Sequence, residues 1–300
     1  MPLAPLIIVN PTAGAGRAAR LVPWLRERLG PRPEADLHVT RRPGDAEEVA
    51  ADAARNGHDR VVAVGGDGTV QEIVNGLLRR PAGAAELGIV PVGTGNDLAR
   101  SLGLPGEPAQ AWRAAMGRVT RPIDAAHARN GAGTERWFAS AGGIGFDAQV
   151  AAAMADRRGW QAGRAGYLLT TLAELRRFGN RRVEITLDGA AFSRVVLFVA
   201  IANGAYYGGG MHIAPGAKPD DGRLDICVVG DISRLTALRE LPNLYRGTHM
   251  RNPSVSMHTA RRIEIDGAEL TRVHLDGEPF GGLPLGVSIA PSSLSVAVSG

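Results

Sequence analysis

Short apolar runs alternate with helical patterns up to about residue 122, and glycine-containing turns follow three of the runs. The clearest run is Val61–Val64, which suits a strand buried on both faces. A helical pattern with Ile73 and Leu77 on one face follows it. The runs Leu6–Val9 and 87–92 are also each followed by a glycine turn and a helical pattern. This rhythm predicts a parallel, doubly wound, Rossmann-like α/β domain.

The pattern changes beyond residue 122, where short strand-like runs become frequent and many alternate between apolar and polar side chains. Helical stretches near 147–155, 167–178 and 234–244 interrupt them. Antiparallel sheets with one buried face produce such alternation. We therefore predict an α/β domain over residues 1–122 and an antiparallel β-sandwich domain over residues 123–300.

The turn after the central run holds three glycines around one aspartate: Gly65, Gly66, Asp67 and Gly68. Glycine leaves the backbone open to a ligand, and the start of the next helix offers free N–H groups and a partial positive charge. Thr69 and Glu72 have the spacing of a capping box, with Thr69 as the N-cap. The turn is a candidate floor for a nucleotide phosphate site, with an ordinary strand-to-helix turn as the alternative.

Two further segments are expected at the same edge of the sheet, where open α/β sheets bind ligands. Gly93–Asp97 is a second glycine turn that opens a helix, and Thr40 ends the second predicted strand. A carboxylate repels a triphosphate unless Mg²⁺ lies between them. We therefore assign Asp67 and Asp97 to metal or bound water near the phosphates, with a helix-capping role as the alternative for Asp97.

The charged residues narrow the choice of chemistry. Lys218 is the only lysine, so nearly all of the positive charge behind the net +4 is arginine. A Walker P-loop lysine is therefore absent, and backbone amides, arginine or metal must hold any phosphate.

Two further ligand classes are disfavoured by the sequence. Thr40 stands where a dinucleotide fingerprint requires an acid, which argues against a nicotinamide cofactor. Aromatic residues make up 5% and do not interleave with the arginine pairs, which argues against nucleic acid.

Two acidic clusters lie in the predicted second domain. Residues 218–225 place carboxylates and carbonyls around a glycine turn, which suits Mg²⁺ or Ca²⁺, although an ordinary turn is the alternative. Asp276 is a candidate general base for a substrate hydroxyl, with an Asp-Gly hairpin turn as the alternative. The histidines are dispersed, and we expect His212 and His274 to be structural or rim residues.

Cys227 is the only cysteine, which excludes an internal disulfide and fits a reducing cytoplasm. No run approaches the roughly 20 apolar residues of a membrane span. We therefore expect a cytoplasmic protein, and its arginines fit attraction to an anionic membrane surface.

Together these motifs resemble the diacylglycerol kinase and sphingosine kinase family, in particular the soluble bacterial lipid kinases. The Gly-Gly-Asp-Gly-Thr motif alone also occurs in NAD kinases, so the whole ordered series is what makes the resemblance specific. The series consists of Asn10–Gly16, Gly65–Thr69, Pro91–Asp97, Gly142–Asp147, Ala202–Gly204, Asp221–Gly222 and Leu275–Glu278.

The resemblance implies transfer of the γ-phosphoryl group of ATP, with Mg²⁺, to the hydroxyl of diacylglycerol or a related lipid. Asp276 looks like the proton acceptor of the family. Asp221 looks like its structural magnesium ligand, with backbone oxygens near Lys218 and Arg223. Gln71 stands where the family commonly has asparagine. The residues expected at the nucleotide are Asn10, Thr40, Gly65, Gly66, Asp67, Gly68, Thr69, Val70, Gln71, Gly93, Thr94, Asn96 and Asp97.

Two alternatives remain open: an NAD kinase or other small-molecule kinase on the same fold, and a non-catalytic module that senses a nucleotide or a lipid. The three acids Asp276, Asp221 and Asp97 argue against a mere sensor. The expected partners are ATP and a lipid presented at a membrane surface, and a homodimer is a further hypothesis. Candidate membrane contacts are the arginines together with Trp160, Tyr206 and Tyr207.

Overall fold

The computed structural model describes residues 4–30, 37–79, 85–156, 163–176, 178–267 and 271–300. Two compact units are present: unit 1 is Met1–Asp124 with Ser292–Gly300, and unit 2 is Ala125–Pro291. The sequence-based division after residue 122 did not include the return of the C-terminal segment to unit 1. Asp124 helps to hold that segment, because its carboxylate accepts the N–H of Ser292 at 2.8 Å.

Unit 1 is a parallel sheet in the order β2, β1, β3, β4, with the end of β15 beside β4. The register pairs Val9 with Val64 and Gly65 with Pro91, so the carboxyl ends of these strands lie at one edge. The strands are β1 (Leu6–Val9), β2 (Leu37–Val39), β3 (Arg60–Gly65), β4 (Glu86–Pro91) and β15 (Leu285–Ala297). The helices are α1 (Ala13–Leu29), α2 (Asp45–Asn56), α3 (Asp67–Leu78), α4 (Asp97–Ser101) and α5 (Pro108–Ala115).

Alternate residues of the central strands are buried on opposite faces of this sheet. Ile7 and Val62 join a core with Leu25 of α1 and Trp112 of α5. Ala63, next to Val62, points to the other face and is also fully buried. Burial on both faces explains the near-continuous apolar runs, and it confirms the doubly wound α/β prediction.

Unit 2 is mainly antiparallel, with the path β14, β13, β7, β9, β8, β12, and with β10 between β9 and β11. Strand β5 (Thr120–Asn130) enters it from unit 1 and forms a hairpin with β6 (Glu135–Phe138). The other strands are β7 (Ala141–Gly145), β8 (Arg181–Leu187), β9 (Ala190–Ala202), β10 (Leu224–Gly230), β11 (Val255–Ala260), β12 (Arg262–Gly267), β13 (Arg272–Leu275) and β14 (Glu278–Gly282). The helices are α6 (Phe146–Asp156), α7 (Gly163–Leu175) and α8 (Arg234–Arg246), followed by a 3-10 turn at His249–Arg251.

Strand β9 separates two hydrophobic cores in unit 2. Val199 and Ile201 belong to a core formed by the strands. Phe198 and Ala200 belong to a second core that includes residues of α6, α7 and α8. The alternation along β9 is the period-two pattern seen in the sequence, and the β-rich second unit confirms that part of the fold prediction.

Of the aromatic membrane contacts suggested from the sequence, Tyr207 does not lie on the surface. Tyr207 is buried and lies 6.0 Å from the His274 ring, centroid to centroid. Tyr206 stacks on His212. Trp160 lies outside the described residues. Among the helices that the structure describes, none has both the length and the apolar character to cross a bilayer.

Candidate functional site

Glycine turns from three strands meet at the carboxyl edge of the unit 1 sheet. Arg17 joins two of them, because its guanidinium donates to the carbonyls of Val92 and Gly93 at 2.9 and 3.2 Å. Residues 14–16, at the start of α1, have a left-handed and not a helical backbone, and a Cβ on Gly14 would lie 2.1 Å from the Val92 oxygen. The first turn can therefore approach the third only with glycine at this position.

The second and third turns are in direct backbone contact. A Cβ added to Gly93 would lie 2.5 Å from the Cα of Gly66 and 2.8 Å from Asn96 Oδ1. Carbon atoms pack at about 3.5–4.0 Å, so neither turn leaves room for a side chain at Gly93. Close backbone approach explains why the sequence has glycine on both sides of this contact.

Asp67 ties the second turn to the start of α4. Its carboxylate accepts the N–H of Asn96 at 2.7 Å and the N–H of Asp97 at 2.6 Å. Burial raises the pKa of the Asp67 carboxyl, and the two N–H donors act in the opposite direction. The structure thus gives Asp67 an organising role between the turns, and its predicted contact with metal or water remains a prediction.

The predicted capping box is wrong. Helix α3 begins at Asp67 with Gly66 as its N-cap and without a capping side chain. Thr69 lies inside the helix, where its hydroxyl accepts from Asn10 Nδ2 at 3.1 Å. The Glu72 carboxylate instead accepts the N–H groups of Gly44 and Ala46 at the start of α2.

Glu72 reaches α2 because the two helices pack closely at Gly76, where a Cβ would lie 2.4 Å from the Glu47 oxygen. Because Glu72 bonds to the start of α2, it does not cap the first turn of α3. The N-cap residue Gly66 has no side chain to cap this turn, and the Asp67 carboxylate accepts the N–H of its own residue. The N–H groups at the start of a helix lack partners within the helix, which is the arrangement that binds anions.

The remaining predicted nucleotide residues differ in exposure. Thr40 donates its N–H to the Val9 oxygen at 2.9 Å, which places it at the same edge of the sheet. Thr94 is exposed. Val70 and Gln71 bury their side chains, so any contact that they make with a nucleotide would involve the backbone.

Asn96 has a buried acceptor at this edge. It adopts a left-handed backbone, and its Nδ2 donates to the Gly93 oxygen at 2.9 Å. Its Oδ1 is buried and accepts no hydrogen bond from the part of the chain that the structure describes. An unsatisfied buried acceptor costs about 1–3 kcal/mol, so this atom indicates a place for a water or ligand donor.

Asp276 occupies a tight hairpin turn between β13 and β14. Asp276 and Gly277 have φ values of 48° and 86°, as a two-residue turn with positive φ requires. The carboxylate accepts the N–H groups of Ala139, Ser140 and Ala141 at 3.1, 3.0 and 3.0 Å. Asp276 therefore does form the Asp-Gly turn, and three backbone donors fix the position and orientation of its carboxylate.

The second acidic cluster is an exposed bend before β10. Asp221 Oδ1 accepts the N–H of Arg223 at 3.0 Å, and Gly222 has a φ of 71°. Burial raises the pKa of Asp225 to about 6, with a further increase from the nearby Asp221 carboxylate. No group of three or more His, Cys, Asp or Glu side chains suited to a metal occurs in the described ranges. Backbone oxygens and water must therefore complete any metal site at Asp221.

Comparisons with known proteins match both parts of the chain. The diacylglycerol kinase catalytic domain model covers residues 4–128, and the model of the YegS C-terminal NAD kinase beta sandwich-like domain covers residues 140–298. A "Diacylglycerol kinase" of Mycobacterium tuberculosis strain CDC 1551 / Oshkosh is 33% identical over 295 residues, which span 96% of this chain and 93% of that protein. The chain belongs to the diacylglycerol kinase family.

Further relatives of this kinase agree. A "Probable lipid kinase YegS-like" of Pseudomonas aeruginosa strain UCBPP-PA14 is 34% identical over 266 residues, which span 88% of this chain and 84% of that protein. A crystal structure of a diacylglycerol kinase from Bacillus anthracis str. Sterne has a TM-score of 0.71 and 26% identity, and covers 99% of this chain and 97% of its own. The family is one of lipid kinases, so the protein is a phosphotransferase with an alcohol group as acceptor.

A buried hydrogen-bonded pair supports the Asp276 turn of this kinase. His274 Nε2 lies 3.2 Å from Asp147 Oδ2, and His274 Nδ1 accepts the N–H of Gly277 at 3.3 Å. Because Nδ1 accepts, the proton of a neutral ring lies on Nε2 and points to Asp147. Burial raises the pKa of Asp147, and the His274 hydrogen bond opposes that shift. A Cβ on Gly143 would lie 2.0 Å from Asp147 Oδ2, so glycine there makes room for the pair.

The sequence contains the Gly142–Asp147 motif and favours a structural or rim role for His274, but nothing in it predicts that Asp147 and His274 pair. They are separated by 127 positions in the chain. The signal in the sequence was Gly143, a glycine inside a strand that marks a close approach.

Proposed function

We propose that this kinase transfers the γ-phosphoryl group of ATP to a hydroxyl of diacylglycerol or a related lipid, with Mg²⁺ as its metal. The observation that carries the proposal is the meeting of three glycine turns at one edge of unit 1, beside uncapped N–H groups of α3. Phosphoryl transfer depends mainly on positioning and on neutralising charge, and such an edge supplies positioned donors.

The phosphates would bind to main-chain donors and not to a lysine. The N–H groups of Asp67, Gly68 and Thr69 form the first turn of α3, and Gly66 leaves the approach to them open. The buried Asn96 Oδ1 offers an acceptor to a hydroxyl or amino group of the nucleotide or to a bound water. Asn10 Nδ2 is held by the Thr69 hydroxyl, so Asn10 would act by fixing the turn.

Magnesium fits this edge through its acidic residues. Asp67 and Asp97 would supply hard oxygen ligands, since Mg²⁺ in kinases is usually held by one or two carboxylates, waters and phosphates. Each Asp67 oxygen already accepts a backbone N–H group, so only the remaining lone pairs of Asp67 would be available to the ion or to a water bound to it. When bound, the ion neutralises charge on the β- and γ-phosphates.

The acceptor hydroxyl would lose its proton to the Asp276 carboxylate. Three backbone N–H groups orient that carboxylate, and the His274–Asp147 pair holds the turn that carries it. A positioned general base contributes about 10²–10⁴ in rate. Asp276 would thus take the hydroxyl proton as the oxygen attacks the γ-phosphorus, while the bond from that phosphorus to the bridging oxygen breaks and ADP leaves.

A second metal would have a structural role at the bend before β10. The exposed Asp221 carboxylate and backbone oxygens near Lys218 and Arg223 are hard ligands of the kind that Mg²⁺ or Ca²⁺ takes. Arg223 also donates its N–H to Asp221, which holds the bend in shape.

The product of the reaction tests the proposal. The protein is incubated with γ-labelled ATP, Mg²⁺, lipid micelles and NAD, and the mixture is then extracted with organic solvent. We expect label in a phosphorylated lipid, with diacylglycerol among the accepted lipids of a panel identified by mass spectrometry. Label in an aqueous product such as a phosphorylated dinucleotide, or no transfer to any lipid, contradicts the proposal.

A further inference from the structure

Helix α8 presents leucines, an aromatic residue and arginines to solvent. Leu235, Leu238 and Tyr245 are 56%, 41% and 39% exposed. Helices of soluble proteins normally turn such residues to the core and charged residues outward. The exposed residues of α8, here called the α8 outer face, are Arg234, Leu235, Leu238, Arg239, Pro242, Tyr245 and Arg246.

The residues of the α8 outer face are sorted around the helix. At 3.6 residues per turn, Leu235, Leu238, Pro242 and Tyr245 fall within a sector of about 80°. Arg234 borders this sector on one side, and Arg239 and Arg246 border it on the other. The result is an apolar stripe between two basic margins. Met250, which is 44% exposed, and the exposed Arg251 continue the same composition just beyond the helix.

The opposite side of α8 is already packed, so its exposed apolar residues are not left over from a loose core. Ala237 and Leu244 are buried in the second core of unit 2. The cavity between this side of the helix and the strands has room for only about 40 Å³.

The one acid of α8 does not weaken the positive charge of this surface. Glu240 is partly buried, and its two oxygens accept from Asn243 at 2.8 Å and from Asn252 at 3.1 Å. Its carboxylate therefore points away from the α8 outer face. Arg234, Arg239 and Arg246 are exposed, and none of the residues that make up the α8 outer face is acidic.

We propose that the α8 outer face docks on an anionic lipid bilayer, with the helix lying in the plane of the interface. This inference rests on the proposed lipid kinase function and names the surface that meets the membrane. Interfacial helices carry apolar side chains into the headgroup region and keep basic residues at the margins. Tyrosine suits the same depth, since it has an apolar ring and a polar end. The basic margins are complementary to anionic headgroups.

Sedimentation with vesicles measures the docking. Wild-type protein is mixed with vesicles of phosphatidylcholine alone, or with one third phosphatidylglycerol, at low salt. The test variants are Arg239→Gln/Arg246→Gln and Leu235→Ser/Leu238→Ser. The control Arg20→Gln/Arg118→Gln removes the same charge from exposed positions of unit 1. All six substituted residues are exposed, and thermal unfolding checks that each variant keeps the fold.

Each arginine near an anionic surface contributes about 1 kcal/mol to binding. The Arg239→Gln/Arg246→Gln variant should therefore bind the anionic vesicles about 30-fold more weakly than wild type. The Leu235→Ser/Leu238→Ser variant should also bind the anionic vesicles more weakly, and added salt should not restore its binding. The control should bind like wild type. Equal losses in the control would show diffuse attraction of a basic protein. Wild-type sedimentation no higher than background, as expected if α8 meets an acidic protein, would also overturn the proposal.

A parallel activity assay separates failure of this inference from failure of the proposed function. With diacylglycerol dispersed in neutral detergent micelles, the α8 variants should keep wild-type turnover, because no anionic surface is needed there. Activity of the wild type in micelles without α8-dependent vesicle binding contradicts the docking surface alone. Absence of lipid phosphorylation by the wild type in micelles contradicts the proposed function, whether or not the protein sediments with vesicles.

Discussion

Replacement of Gly93 by alanine tests whether the contact between two glycine turns shapes the phosphate site. The added Cβ would lie 2.5 Å from the Cα of Gly66, about 1 Å or more inside the usual carbon contact distance. Both neighbours of the new methyl group on that side are backbone atoms, so the turns must separate by about that distance. A misplacement of about 1 Å commonly costs on the order of 10² in rate.

Gly106→Ala is the matched control, because a Cβ there would meet nothing within 4 Å. We expect Gly93→Ala to lose about 1–3 kcal/mol of stability by overpacking, and to bind ATP and turn over about 10²-fold less well. Calorimetry of ATP binding and thermal unfolding, run on both variants, measure the two effects. Loss of stability in Gly93→Ala with wild-type ATP affinity would refute the assignment of these turns to the phosphates.

Three further predictions concern single side chains. Asp276→Asn should keep the turn, since asparagine tolerates positive φ. It should lower kcat about 10²–10⁴-fold and leave the affinity for ATP unchanged, and an unchanged kcat would show that Asp276 is not the base. In the absence of nucleotide, Mg²⁺ should raise the Tm of the wild type and of the control Asp220→Asn, but not the Tm of Asp221→Asn. An equal increase in the Tm of all three proteins would show that the ion binds away from Asp221. Burial, aided by the Asp147 charge, raises the pKa of Cys227 to about 12, so the thiol should resist thiol reagents at pH 8 until the protein is unfolded in urea, and rapid labelling of the folded protein would contradict this.

Local periodicity predicted much of the fold, because the faces of a strand that are buried determine which of its neighbouring residues are apolar. The apolar runs of β1 and β3 are continuous since both faces are covered, and β9 alternates between two cores. The return of Ser292–Gly300 to unit 1 has no such local signature. It depends on pairing across the chain, as between Val296 and Leu87.

The predictions that failed or fell short did so at long-range contacts. Glu72 had the spacing of a capping box, but close packing at Gly76 brings it to the start of another helix. Tyr207 was expected at a surface and is buried against His274. The pairing of His274 with Asp147 links distant motifs of unit 2. In each case the local pattern allowed two structures, and tertiary packing decided between them.

The most direct measurement of the central claim is a crystal structure of the protein with Mg²⁺ and a non-hydrolysable ATP analogue. We predict phosphate oxygens within about 3 Å of the backbone nitrogens of Asp67, Gly68 and Thr69. A nucleotide bound away from this edge, with those nitrogens hydrated, would contradict the account.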